Sequence, residues 1–89
     1  MSATSSVTIQ HNLGLHLRAA GALVQLASRF QSKLYIKYGT LTANGKSIMS
    51  VLSLAAPCGA TLEISAEGND ADEALQSVTE LIRQNFGIE

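Results

Sequence analysis

The segment Asn12-Leu13-Gly14-Leu15-His16-Leu17-Arg18 sets an imidazole two residues ahead of a guanidinium, just past a glycine. Upstream, Val7-Thr8-Ile9-Gln10 alternates apolar and polar side chains, which predicts a strand with one buried face. Downstream, Ala20, Leu23, Val24 and Ala27 recur at helical spacing, with Leu26 and Phe30 widening the stripe. His16 is therefore expected at or just before the first turn of a helix. Backbone N–H groups there lack intrahelical acceptors and carry the positive end of the helix dipole. A neutral imidazole at that place is a nucleophile, and the N–H groups form an anion site for any phosphoryl group it takes. Arg18 adds a planar pair of charge-assisted donors. Reversible phosphoryl transfer needs this set of groups. Spacing alone does not establish it, because a histidine at a helix start is more often a cap or surface group and an arginine a solvated charge.

A second constellation is Lys46-Ser47-Ile48-Met49. Asn44-Gly45 marks a turn, and Ser47 suits the N-cap of a helix of two turns over Ser47 to Leu54. So short a helix cannot bury every apolar side chain it carries. Ile48, Met49 and Leu52 are expected to form an exposed apolar patch for partner docking, where methionine adapts to several surfaces. Val51 and Leu54 are expected to face the core. His11 reads as a strand-end surface residue, and Cys58, between Pro57 and Gly59, as a turn thiol with no activating partner. Lys33, Lys37 and Arg83 read as solvated charges. A metal or thiol enzyme built on His11, His16 and Cys58 is the weakest reading. No metal and no cofactor are expected.

The elements that position these groups fit one domain over 1–89. Leu34, Ile36 and Tyr38 alternate with polar neighbours, Gly39-Thr40 allows a tight turn, and Leu41-Thr42-Ala43 follows, which predicts a hairpin. Leu62, Ile64 and Ala66 give a fourth strand, and Ala71, Leu75, Val78 and Ile82 a last helix. Asp70 with Glu73 resembles a capping box, and Gly87 suits a left-handed stop. The order βαββαβα implies an α+β fold, an open-faced sandwich with helices on one face of the sheet. Six Lys/Arg against seven Asp/Glu leave a net charge of −1, which argues against a general nucleic-acid binder. Apolar runs fall short of the ~20 residues of a membrane span, so no membrane insertion is expected. Met1 to Ser6 lacks the basic and apolar stretches of a secretory signal, and a single cysteine excludes an internal disulfide, so a cytoplasmic location is expected.

Gly14-Leu15-His16-Leu17-Arg18-Ala19-Ala20 resembles the active-site segment of the HPr family, the histidine-containing phosphocarriers of the bacterial phosphoenolpyruvate-dependent sugar phosphotransferase system. The likeness continues through Leu23 to Phe30, Lys46 to Leu54 and Ile64 to Gly68, covering the chain from about Val7 to the last helix. It implies a four-stranded antiparallel sheet with three helices on one face. It implies that His16 accepts phosphate on Nδ1 from enzyme I and passes it to IIA domains of sugar permeases, as a stoichiometric carrier and a monomer. Arg18 would neutralise the phosphoryl oxygens and the Leu17 and Arg18 N–H groups would complete the cradle. Asn12 either orients the loop or the ring, or only forms the turn. The Lys46 to Leu54 stretch resembles the regulatory site of relatives phosphorylated by HPr kinase/phosphorylase, which would place a regulatory phosphate on Ser47. Charge there, at the edge of the apolar patch, would repel acidic partners without moving His16. Two departures stand out. Ala19 replaces the family's usual proline, and Leu17 stands where a small residue or threonine is common, beside the site and able to change partner contact. Alternatives are a regulatory interaction module controlled through Ser47, and a nitrogen-related phosphotransferase paralogue.

Overall fold

The computed structural model describes residues 1–88. Its elements are β1 (Ser2–Thr8), α1 (Leu17–Ala27), β2 (Lys33–Tyr38), β3 (Leu41–Asn44), α2 (Ile48–Leu52), β4 (Thr61–Glu67) and α3 (Ala71–Arg83), followed by a single 3₁₀ turn (Asn85–Gly87). The sheet is antiparallel throughout in the order β1-β4-β2-β3. The expected order of elements is the one found.

Register follows the alternation. Ile36 pairs with Ile64 and Leu34 with Ala66, so the apolar members of β2 and β4 share one face. Val7 joins them opposite Leu62. Leu34, Ile36, Leu62 and Ile64 are buried against Leu23 of α1 and Val78 and Ile82 of α3. Each such side chain contributes about 1.5–3 kcal/mol by leaving water. The opposite face carries the exposed Lys33, Lys37, Thr61, Glu63 and Glu67.

Three local expectations are corrected. β1 starts at Ser2, not Val7, because the ladder to β4 runs from Ser2 opposite Glu67 to Thr8 opposite Thr61, although only Val7 of the strand is buried. α3 ends at Arg83, and Gly87 does not stop it directly. Asn85 and Phe86 adopt left-handed φ values of 56° and 61°, which turn the Phe86 ring into the core before Gly87 is reached. Asp70 occupies the N-cap of α3 but its side chain makes no capping bond. It reaches instead across the sheet end, where its carboxylate accepts the Gln31 N–H (2.9 Å), the Ser32 N–H (2.9 Å) and the Ser32 hydroxyl. The Ser32 hydroxyl first, then the Gln31 N–H, hold the Asp70 carboxyl below its ordinary range. Gly68 permits this clamp: a Cβ there would lie 2.6 Å from Ser32 Oγ, and its φ is 146°.

Candidate phosphoryl-acceptor site

The site is a turn strung between β1 and α1 and tied to the loop before β4. Ile9 and that loop exchange two bonds, Ile9 N–H to Ala60 O and Gly59 N–H to Ile9 O, both 2.8 Å. The chain then closes a turn through Gly14 N–H to His11 O (2.9 Å), and Leu15 N–H donates to Ala56 O (2.9 Å). Gly14 has a φ of 64°, and a Cβ there would lie 2.6 Å from Ala56 O and 2.8 Å from Pro57 Cα. Only glycine satisfies both the dihedral and the approach. Leu15 is buried beyond it and anchors the turn in the core.

His16 is the N-cap of α1, with φ −84°, ψ −179° and no capping bond from its side chain. Its carbonyl accepts the Ala20 N–H at 2.8 Å, the first bond of the helix. The imidazole is half-buried, and its Nε2 is buried with no hydrogen-bond partner. The ring stands at the helix terminus whose N–H groups lack intrahelical acceptors. Arg18, exposed on the first turn, has no carboxylate within ion-pair distance among the described residues. Ala19 is fully buried, so the residue in the family's proline position packs inward.

Sequence reasoning misplaced His11. It is 7% exposed, its Nδ1 accepts the Leu13 N–H at 3.1 Å, and its ring lies 4.9 Å from that of His16. The signal was present in the alternation: Val7, Ile9 and His11 share one parity, and the first two are buried. Leu13, 70% exposed, also went unnoticed; Leu17 is 64% exposed. Asn12 is exposed, and among the described residues its side chain makes no hydrogen bond. A shallow groove lined by Gln10, His11, Asn12, Leu13 and Asn85 runs beside it.

The segment from Lys46 to Ala56 is tied to the chain at both ends of α1. Lys46 Nζ donates to Phe30 O (2.6 Å) beyond the C-terminal end of α1, while Ala56 meets Leu15 at its N-terminal end. Ser47 is the N-cap of α2, its Oγ accepting the Ser50 N–H at 3.2 Å. The Ser50 hydroxyl accepts the Asn44 N–H, and Asn44 Oδ1 accepts the Lys46 N–H, each at 2.9 Å. Ile48 and Met49 are exposed, and Val51 and Leu54 are buried as expected. Leu52 departs from its expected exposure. It is half-buried and packs against the core, since it neighbours the buried Val51 on a single short helix whose inward arc takes in part of its side chain. Met49 and Ile48 of α2, Leu17 of α1 and Leu13 of the preceding turn are exposed apolar side chains. Cys58 is exposed, with Sγ 3.6 Å from Gln10 O.

Fold and site define an open-faced α+β carrier domain, with a histidine presented at a helix N-terminus. The family profile described as the phosphotransferase-system HPr component phosphorylation site matches residues 3–84. The phosphocarrier protein HPr of Treponema pallidum is 41% identical over 81 residues, 91% of this chain and 92% of that protein. An HPr crystal structure from Thermoanaerobacter tengcongensis superposes with a TM-score of 0.93 at 37% identity, covering 98% of each chain. An HPr dimer from the same organism superposes with a TM-score of 0.78 at 38% identity, covering 92% of this chain and 94% of that one. The chain belongs to the HPr family of phosphocarriers of the phosphotransferase system. Among the described residues no helix is long and apolar enough to cross a membrane.

Proposed function

We propose that this chain accepts a phosphoryl group on His16 Nδ1 from enzyme I, with phosphoenolpyruvate as the ultimate donor, and hands it to IIA domains of sugar permeases. The observation that carries the reading is the placement of the His16 ring, a partly exposed imidazole at the start of α1 whose Nε2 is buried without a hydrogen-bond partner. The Nδ1 lone pair attacks phosphorus as the bond from phosphorus to the donor breaks. The Leu17 and Arg18 N–H groups and the Arg18 guanidinium receive the oxygens, whose charge the helix terminus favours. Transfer onward reverses these steps, so the chain is a carrier that ends each half-reaction modified. Leu13, Leu17, Ile48 and Met49 supply the apolar contact for both partners. Enzyme I with labelled phosphoenolpyruvate should deposit one acid-labile, base-stable phosphate. Label persisting on His16→Ala removes the assignment. The chain acts as a monomer, and light scattering should return the mass of one chain, 9.4 kDa.

A second, regulatory use rests on Ser47. Its Oγ already accepts an N–H at a helix start, a position where phosphate oxygens are electrostatically favoured. The exposed Ile48 and Met49 follow directly, so charge at Ser47 would disfavour an acidic or apolar partner surface. HPr kinase/phosphorylase with a nucleotide or pyrophosphate donor should place acid-stable label on Ser47 and none on Ser47→Ala. Label on Ser47 together with no uptake at His16 would make the chain a regulatory module instead.

A further inference from the structure

The transfer chemistry above makes no use of His11, yet its ring is 7% exposed and faces the His16 ring at 4.9 Å with a tilt of 50°. The Leu13 N–H bond to Nδ1 needs a lone pair at that nitrogen and pins the His11 ring inside the turn that carries Gly14. On the His16 side, Nε2 is covered and has no hydrogen-bond partner to hold it in place. The orientation of the acceptor ring is therefore left to packing. We propose that His11 is a positioning residue for His16: its ring is the wall that keeps Nε2 covered and presents Nδ1 to phosphorus. This rests on the carrier reading of His16 and adds to it the group that selects the reacting nitrogen. Either nitrogen of a free imidazole can carry the reactive lone pair, depending on the tautomer, so with both tautomers in exchange the ring's rotamer decides which one meets phosphorus. A tilted ring pair biases such a population about two- to tenfold.

Phosphoramidate tests the inference without any partner protein. Its phosphoryl group moves to the imidazole as the original P–N bond breaks and ammonia leaves. Wild-type protein should carry the group mainly on His16 Nδ1, read by ¹⁵N and ³¹P NMR. Two variants separate ring from turn. His11→Asn keeps a side-chain acceptor two residues before the Leu13 N–H but removes the ring, whereas His11→Phe keeps a ring without the acceptor. We expect His11→Phe to hold the wild-type Nδ1:Nε2 ratio and His11→Asn to lower it about two- to tenfold. Side-chain couplings of His16 in the unmodified proteins should show one rotamer with a ring at position 11 and averaging without it. His11→Leu replaces His11→Asn if the latter does not fold. An unchanged ratio and unchanged couplings in the ringless variant overturn the proposal. So does a shift in His11→Phe as large as in His11→Asn, which would assign positioning to the turn. If wild-type His16 takes no phosphate at all, the carrier reading falls, and the couplings alone still decide the role of His11.

Discussion

A single methyl group, added at two glycines seven residues apart, is expected to act with opposite sign. At Gly14 the backbone φ is 64°, and the new Cβ would lie 2.6 Å from Ala56 O, 2.8 Å from Pro57 Cα and 2.9 Å from Pro57 C. All three are backbone atoms, so no side chain can swing aside. Left-handed backbone at an L-residue costs about 1–2 kcal/mol, and overpacking adds about 1–3 kcal/mol. Gly14→Ala should thus lose about 2–5 kcal/mol, against a total of about 4–13 kcal/mol for a domain of this length. Gly21 sits inside α1 with nothing within 4 Å of its Cβ position. Gly21→Ala should gain about 0.5–1 kcal/mol from helix propensity. Urea unfolding followed by circular dichroism reads both: the midpoint falls by more than ~1 M for Gly14→Ala and rises for Gly21→Ala. The Gly14 variant also displaces Leu15 from Ala56 O, so phosphate uptake at His16 should drop even where the chain stays folded. A loss under ~1 kcal/mol at Gly14, or any loss at Gly21, would refute the account of how this turn is held.

Four further outcomes are expected. Arg18→Gln should slow phosphate uptake from enzyme I about 10- to 100-fold with the melting temperature unchanged, since charge-assisted bonds to the phosphoryl oxygens are lost and no folded-state ion pair is. Lys46→Met should cost about 1–2 kcal/mol in thermal unfolding, because the Phe30 carbonyl loses its donor. Ser47→Ala should cost about 1 kcal/mol through the lost N-cap. The depressed Asp70 carboxyl adds stability that is present above its ordinary value of 3.8 and fades as pH falls through its lower folded value. Melting temperatures of wild type and Asp70→Asn should therefore differ at pH 7 and converge in strong acid.

Sequence patterning located what burial dictates. Ala71, Leu75, Val78 and Ile82 repeat at helical spacing and all are buried, as are Leu62, Ile64 and Ala66 at spacing two. β1 was half invisible because its first five residues are Ser2, Ala3, Thr4, Ser5 and Ser6, held by backbone bonds to β4 that leave no apolar trace. Asp70 misled for a related reason. Its local spacing to Glu73 suggests a cap, while its partners Gln31 and Ser32 are some 38 residues distant in the chain. Family resemblance singled out His16, Arg18 and Ser47. Composition could not, since a helix-start histidine is chemically ordinary until its Nε2 is seen to be buried without a partner. His11 was missed by treating it as a lone polar residue at a strand end, not as the next member of the inward-facing series 7, 9, 11.

The strand order leaves two open margins, β3 on one side and β1 on the other. β3 offers a template of only four residues, and β1 is lined almost wholly by hydroxyl-bearing side chains. A short or hydroxyl-coated border gives a like chain little apolar surface to stack on, even though its amides and carbonyls are unsatisfied. Of the large exposed apolar side chains, Leu13, Leu17, Ile48 and Met49 lie outside the sheet, while Leu41 opens β3. The sheet margins therefore offer a second copy of the chain little on which to build a cross-β stack.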